Sequence, residues 1–157
     1  MQIQASFWMV FRRLCAQHFA NQPTIWLPIS QQIETVLTTP PRHRDAAVAA
    51  LVEVLAGTPD ALDLGFRIGM QMPLTAFGTH SLALLAAPTA GHALKWISEA
   101  QQPGLPLIEC RYETEALHGR LTIGLRQPMS EAAERLIVAT GSTFLGRLLE
   151  RLTGLPE

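Results

Sequence analysis

The sequence is short of the residues that specialised chemistry needs. Of its 157 residues only two are cysteine and one is tyrosine, and the formal net charge is −1. Cys15 and Cys110 are too few and too far apart to form a disulfide framework, and read as buried core thiols. A chain so close to neutral lacks the basic face that phosphate neutralisation requires, which argues against a nucleic-acid grip by itself. Long hydrophobic runs are missing as well. The apolar start from Phe7 to Phe11 meets Arg12 and Arg13 at once, and no run reaches the ~18 residues of a membrane span. No basic leader precedes an apolar stretch, so a secretory signal and a membrane partner are not expected, and cytoplasm is the expected compartment. All basic residues but Lys95 are arginine, a bias that hints at a GC-rich bacterial genome.

Catalytic signatures are equally scarce. The histidines are His18, His43, His80, His92 and His118, with no two at i, i+4. Cys15 and His18 could share a helix face, but two ligands do not make a zinc site, so no metal and no cofactor is expected. No Gly-x-Ser-x-Gly elbow exists. Gly141 to Gly146 has the spacing of a phosphate loop, yet Arg147-Leu148 replaces the Lys-Ser/Thr pair and the context is mid-helix.

What is present is enough to build a core. Apolar residues make up 48% and charged residues 16%, a balance that excludes intrinsic disorder and fits one domain over 1–157. Ile3, Phe7, Val10, Phe11, Leu14, Cys15 and Phe19 recur at three and four, the mark of an amphipathic helix. Trp8 and Met9 lie off that stripe, so the helix is expected to be covered on more than one side. A short second helix is expected after Pro28, carrying Ile29, Ile33, Val36 and Leu37. A third should run from Asp45 as N-cap to Ala56. Thr58-Pro59-Asp60 reads as a strong helix start, with Thr58 the capping hydroxyl. Leu62, Phe66 and Ile68 would face inward there, and Gly69 would end the helix, leaving residues 70–76 as a loop. Two further helices are expected around Leu82 and Leu85 and after Thr89, the latter with Ala93, Leu94 and Ile97 inward.

After Pro103 and Pro106 the period changes to two. Ile108, Cys110 and Tyr112 alternate with charged residues, as do Leu121, Ile123 and Leu125, and Gly119 falls between the two runs. The pair reads as a β-hairpin with opposing acids and arginines outside. Ser130 then caps a long helix with Glu131 and Glu134 in its first turn. Ile137, Gly141, Leu145, Leu148, Leu149 and Leu152 form its core face, and Gly154 and Pro156 end it. The expected fold is therefore α+β: a predominantly helical domain with an antiparallel β-hairpin in its C-terminal half followed by a long helix. Gly141 and Gly146 each cost about 1 kcal/mol against alanine in a helix interior. They imply close packing on another element or a helix–helix contact between subunits.

Residues 58–97 resemble a known family. TPDALDLGFRIG followed by AFGTHSLALLAAPTAGHAL is similar to the N-terminal effector-binding domain of AraC-type bacterial transcription regulators. That family carries Gly-Leu-Arg-x-Gly, here Gly65-Phe66-Arg67-Ile68-Gly69. A second family segment is matched at Gly78, Ala83, Leu84, Pro88, Thr89, Gly91, Ala93 and Leu94. It is departed from at Ser81, Leu82 and His92, where the family has glycine, tyrosine and glutamate. The likeness spans about residues 44–156.

The resemblance implies a sensor. Such domains bind a small-molecule effector, contribute to homodimerisation, and signal to a C-terminal pair of helix-turn-helix motifs. No such pair occurs in these 157 residues, so the chain is expected to be a fragment whose DNA contacts belong to that other half. A pocket is expected between the helical layer and the hairpin, with apolar walls and one or two polar anchors. Arg67, His80, Trp96 and Tyr112 are the candidates for ligand binding, and Gly141 and Gly146 for a dimer contact. Two rival classes remain open: a small hydrolase or transferase, and a dimerisation module with no ligand.

Overall fold

The computed structural model describes residues 2–76, 79–99 and 107–154. Its elements in chain order are α1 (Gln2–His18), α2 (Pro23–Thr38), a 3₁₀ turn (Pro41–His43), α3 (Arg44–Ala56), α4 (Ala61–Gln71), α5 (Thr79–Leu85), α6 (Ala90–Glu99), β1 (Ile108–Glu115), β2 (His118–Leu125) and α7 (Glu131–Thr153). The fold is mostly helical, with one two-stranded antiparallel sheet and a long C-terminal helix, as the α+β reading requires. The side chain of Ile3, and Phe77, Gly78, Pro103, Pro106 and Pro156, lie outside the described residues.

Local chemistry accounts for most element ends. Ser130 accepts from the Ala133 amide at 3.2 Å and so caps α7, and Gly154 ends that helix in the left-handed conformation, φ 66°. Thr89 caps α6 by accepting from the His92 amide at 3.2 Å. The α7 cap is itself held from α3: Glu53 accepts from the Ser130 amide at 2.9 Å and from its hydroxyl at 2.5 Å.

Five expectations are corrected. Pro28 does not precede α2 but lies inside it. Proline there deprives the Thr24 carbonyl of its helix partner, and both residues are on the exposed face of the helix, where that loss is cheapest. Thr58 does not start α4. Its hydroxyl donates to the Leu55 carbonyl at 2.6 Å and closes the end of α3, while Asp60, at φ 57°, takes the N-cap position of α4. Asp45 likewise sits inside the first turn of α3, with His43 at the N-cap position. The helix α4 also does not stop at Gly69; it continues to Gln71, and its buried face is Leu64, Gly65, Ile68 and Gly69, with Met72 just beyond. Leu62 and Phe66 point outward, 44% and 51% exposed.

The reason lies across the interface. A Cβ on Gly69 would stand 2.7 Å from the Thr140 carbonyl oxygen and 2.7 Å from Thr143 Cβ. On Gly65 it would stand 3.0 Å from a Leu136 methyl and 3.1 Å from the Leu136 carbonyl. The two glycines let α4 lie almost backbone to backbone on α7. The close packing expected of Gly141 and Gly146 is therefore found on the facing helix. A Cβ at either of those positions meets nothing within 4 Å.

The hairpin keeps the expected faces. Ile108 pairs with Leu125, Cys110 with Ile123 and Tyr112 with Leu121, while Glu113 stands opposite Arg120. The turn is Ala116-Leu117, since Glu115 pairs with His118. Ala116 carries the left-handed φ of 48° that a two-residue connection needs. Gly119 lies inside β2, under the Tyr112 ring. The hairpin is tied to α6 by the Tyr112 amide, which donates to Ser98 Oγ at 3.1 Å.

Candidate functional site

The apolar core divides into two clusters. The larger gathers α1, α2, α3, α4 and the first turns of α7, including Leu14, Ile33, Leu51, Leu64 and Ile137. The smaller gathers Leu84 of α5, Ala93 and Ile97 of α6 and Leu148 of α7, with Cys110 packed against it. Between them lies a cavity of about 170 Å³. One wall is the aromatic group Phe7, Trp8 and Phe11, whose rings meet edge to face at 5.2 Å or stack at 6.0 Å. A second wall comes from Leu51, Val52 and Leu55 of α3 and Ile68 and Gly69 of α4. The hairpin closes a third with Ile108, Cys110 and Ile123, and α7 runs along the length from Leu136 through Thr140, Gly141 and Phe144 to Leu148. The surplus of aromatic surface on the first helix is thus spent on a cavity wall.

Polar side-chain groups on this lining are few: among the described residues, those of Thr140, Cys110 and His80 and the indole N–H of Trp8. The Thr140 hydroxyl donates to the Leu136 carbonyl at 2.9 Å. Burial raises the Cys110 thiol above its ordinary range; the nearby Arg126 lowers it and Glu109 raises it further. At neutral pH it is therefore mostly a protonated thiol, with no base among the described residues placed to activate it, and reacts only slowly through its small thiolate fraction. His80 rests against Trp96, ring centres 5.4 Å apart and tilted by 46°.

Of the four anchors named from the sequence, His80 lines the cavity. Trp96 stands behind it, as a support for the ring. Tyr112 lies on the cavity-facing side of β1 but past the cavity, with its hydroxyl near Gly91 and Gly119. Arg67 is on the far side of α4. It pairs with Asp63 at 3.6 Å, and the same carboxylate stands 3.9 Å from His18 Nδ1. That imidazole nitrogen is buried without a hydrogen-bond partner. Burial, together with the charge of Arg67, lowers the His18 pKa below its ordinary value, against the opposing pull of Asp63 and Asp60. Gly141 lines the cavity; Gly146 does not.

One residue that holds the site together was not singled out from the sequence. Arg147, half-buried on α7, donates through Nη1 to the carbonyls of Gly69 at 2.9 Å and Met72 at 2.8 Å. It satisfies the C-terminal carbonyls of α4 with a cation placed at the negative helix end. An arginine in mid-helix carries no local sign of that role, because its partners are distant in sequence. Among the described residues no group of three or more His, Cys, Asp or Glu could hold a metal ion, and no helix is long and apolar enough to cross a membrane.

Comparison with known proteins gives one family. Residues 33–156 match the arabinose-binding domain of AraC transcription regulators, N-terminal. The match covers most of the chain, which belongs to that family: an effector-binding domain of a transcription regulator. It begins on α2, takes in both glycines of the α4–α7 contact and the cavity walls from α3, α4, the hairpin and α7, and leaves out the aromatic wall of α1. Neither the curated proteins nor the solved structures give a match.

Proposed function

We propose that this domain senses a small-molecule effector in a cytoplasmic bacterial regulator and performs no bond chemistry itself. On this reading it forms a homodimer, and transcription is controlled through an AraC-type DNA-binding half lying outside residues 1–157. The observation that carries the reading is the apolar cavity between the helical layer and the hairpin, most of whose lining, all but the aromatic wall of α1, falls in the matched family region. Concave, mostly apolar spaces with a few polar groups are where small molecules bind. The chemistry of the lining speaks against turnover. Its thiol is held protonated by burial, and its one hydroxyl is committed to a helix carbonyl. An effector then acts by binding one arrangement of the regulator better than another.

The test is a reporter whose operator is bound by an AraC-type DNA-binding half joined to residues 1–157. A compound that changes transcription only when residues 1–157 are present supports the proposal. Turnover of a substrate by the purified chain, abolished by His80→Ala or Cys110→Ala, overturns it.

A further inference from the structure

Gly141 poses a question that the fold leaves open. Glycine in a helix interior is unfavourable by about 1 kcal/mol against alanine, and no neighbour demands it, since a Cβ there meets nothing within 4 Å. It lies one turn from Ile137 and one turn from Leu145, both on the cavity lining. Its missing side chain therefore leaves room on the cavity side of α7. From this, and resting on the sensor reading above, we infer that the cavity seats an uncharged, apolar guest against Gly141, about the size of a substituted benzene. A dry cavity of roughly 150 Å³ lined by aliphatic and aromatic side chains already admits benzene, and this one measures about 170 Å³.

The lining selects against other classes. A buried carboxylate needs a cation, and no lysine or arginine lines the cavity among the described residues. Arg67 is turned to Asp63, and Arg147 is held by the end of α4. A sugar needs a partner for each hydroxyl, and unpaired ones are costly. Thr140, Cys110, His80 and the Trp8 indole N–H do not supply that many, with Thr140 already donating within its own helix. The chain belongs to a family described by arabinose, yet its own cavity is built for hydrocarbon.

Cys110 supplies the readout. It lines the cavity, whereas Cys15 is fully buried elsewhere, so alkylation of the native chain reports Cys110. The purified chain is titrated with toluene, p-toluate and L-arabinose while alkylation rate and Tm are followed. Toluene at ten times its Kd slows alkylation about tenfold and raises Tm by a few degrees; p-toluate and L-arabinose do neither. Gly141→Leu fills the space and abolishes the toluene effects. Should that variant fail to fold, Gly141→Ala, one methyl in the same place, weakens toluene several-fold. Protection by p-toluate or L-arabinose, lost in the Gly141 variants, overturns the inference on ligand class and leaves the sensor reading standing. Absence of any toluene effect, or undiminished toluene protection in the Gly141 variants, overturns the inference outright.

Discussion

The α4–α7 contact gives the sharpest mutational test, because one substitution has opposite signs at two glycines. On an open helix surface Gly→Ala gains about 1 kcal/mol. Gly146, with nothing within 4 Å of its would-be Cβ, is such a place. There Gly146→Ala raises Tm by roughly 2–4 °C, the response to about 1 kcal/mol in a domain of this size. At Gly69 the same methyl meets the Thr140 carbonyl and Thr143 Cβ, each 2.7 Å away, and the Phe144 amide nitrogen at 3.2 Å. Carbon atoms rest about 3.5–4.0 Å apart, so the helices must separate by ~1 Å, which forfeits a quarter to a half of the dispersion across that contact.

Overpacking of this kind costs about 1–3 kcal/mol. The shift also loosens the bond from Arg147 to the Gly69 carbonyl, and hydrogen bonds to charged groups are worth about 1.5–3 kcal/mol. Set against the propensity gain of about 1 kcal/mol, the net loss is roughly 1–4 kcal/mol, or about 3–12 °C in Tm. Calorimetry and urea titration of Gly69→Ala, Gly146→Ala and the parent chain read both signs. A Gly69→Ala variant as stable as Gly146→Ala would show that α4 does not lie on α7 as described.

Four further predictions follow the same logic. Arg147→Ala leaves two helix-end carbonyls without their cation and lowers stability by about 1.5–3 kcal/mol, read as a fall in urea midpoint at unchanged slope. Arg67→Ala removes only an exposed pair worth less than about 1 kcal/mol, and leaves toluene affinity unchanged when the cavity is titrated. Burial raises the Cys15 thiol to about 12 from an ordinary value of 9.0. Its stabilisation is therefore intact below pH 9 and falls above it by about 1.4 kcal/mol per pH unit; in urea titrations from pH 8 to 11 Cys15→Ala makes the decline shallower by that amount, leaving the part due to the likewise raised Cys110. Hydrogen bonds from the Ser130 hydroxyl and then the Ser130 amide hold Glu53 below its ordinary carboxylate pKa. Their stabilisation is fully present above that ordinary value and lost as acid protonates the folded carboxylate, so Tm curves of the parent and Glu53→Gln converge as the pH falls below the ordinary carboxylate range.

Features fixed by neighbours in sequence were legible; features fixed across space were not. Ser130 and Thr89 announced their caps because the capped amide lies three residues on. The hairpin faces were legible because side chains alternate strictly along a strand. Gly69 reads as a helix end because glycine is the residue most common just past one; only the approach of Thr140 and Thr143 explains why it is interior. The α4 register was misjudged for the same reason. Leu62 and Phe66 carry obvious apolar bulk, yet the buried face is Leu64 and the expected Ile68 together with Gly65 and Gly69, where smallness lets α7 approach. The motif Gly65-Phe66-Arg67-Ile68-Gly69 thus packs on α7, and its arginine faces outward to Asp63. His80 was legible as a candidate, whereas the cavity wall opposite it comes from α3, α4 and the hairpin, which no local pattern brings together.

The position of the cavity also says how occupancy would be transmitted. Leu136 and Ile137 of α7 belong to the larger core cluster, and Leu148 eleven residues on belongs to the smaller. The stretch between them is the cavity wall. A guest there touches both clusters and the helix that joins them, so it adds contacts to one relative placement of the two. A ligand indifferent to that placement shifts nothing, however tightly it binds; one that prefers it by the 1–3 kcal/mol typical of coupled sites changes populations 5- to 150-fold. The consequence is measurable in the free domain. Amide exchange along Leu145 to Leu152 should slow on toluene binding as much as exchange at Leu136 and Ile137. Slowing confined to the first half of α7 would mean that the smaller cluster, with the hairpin and α6, does not respond to what fills the cavity.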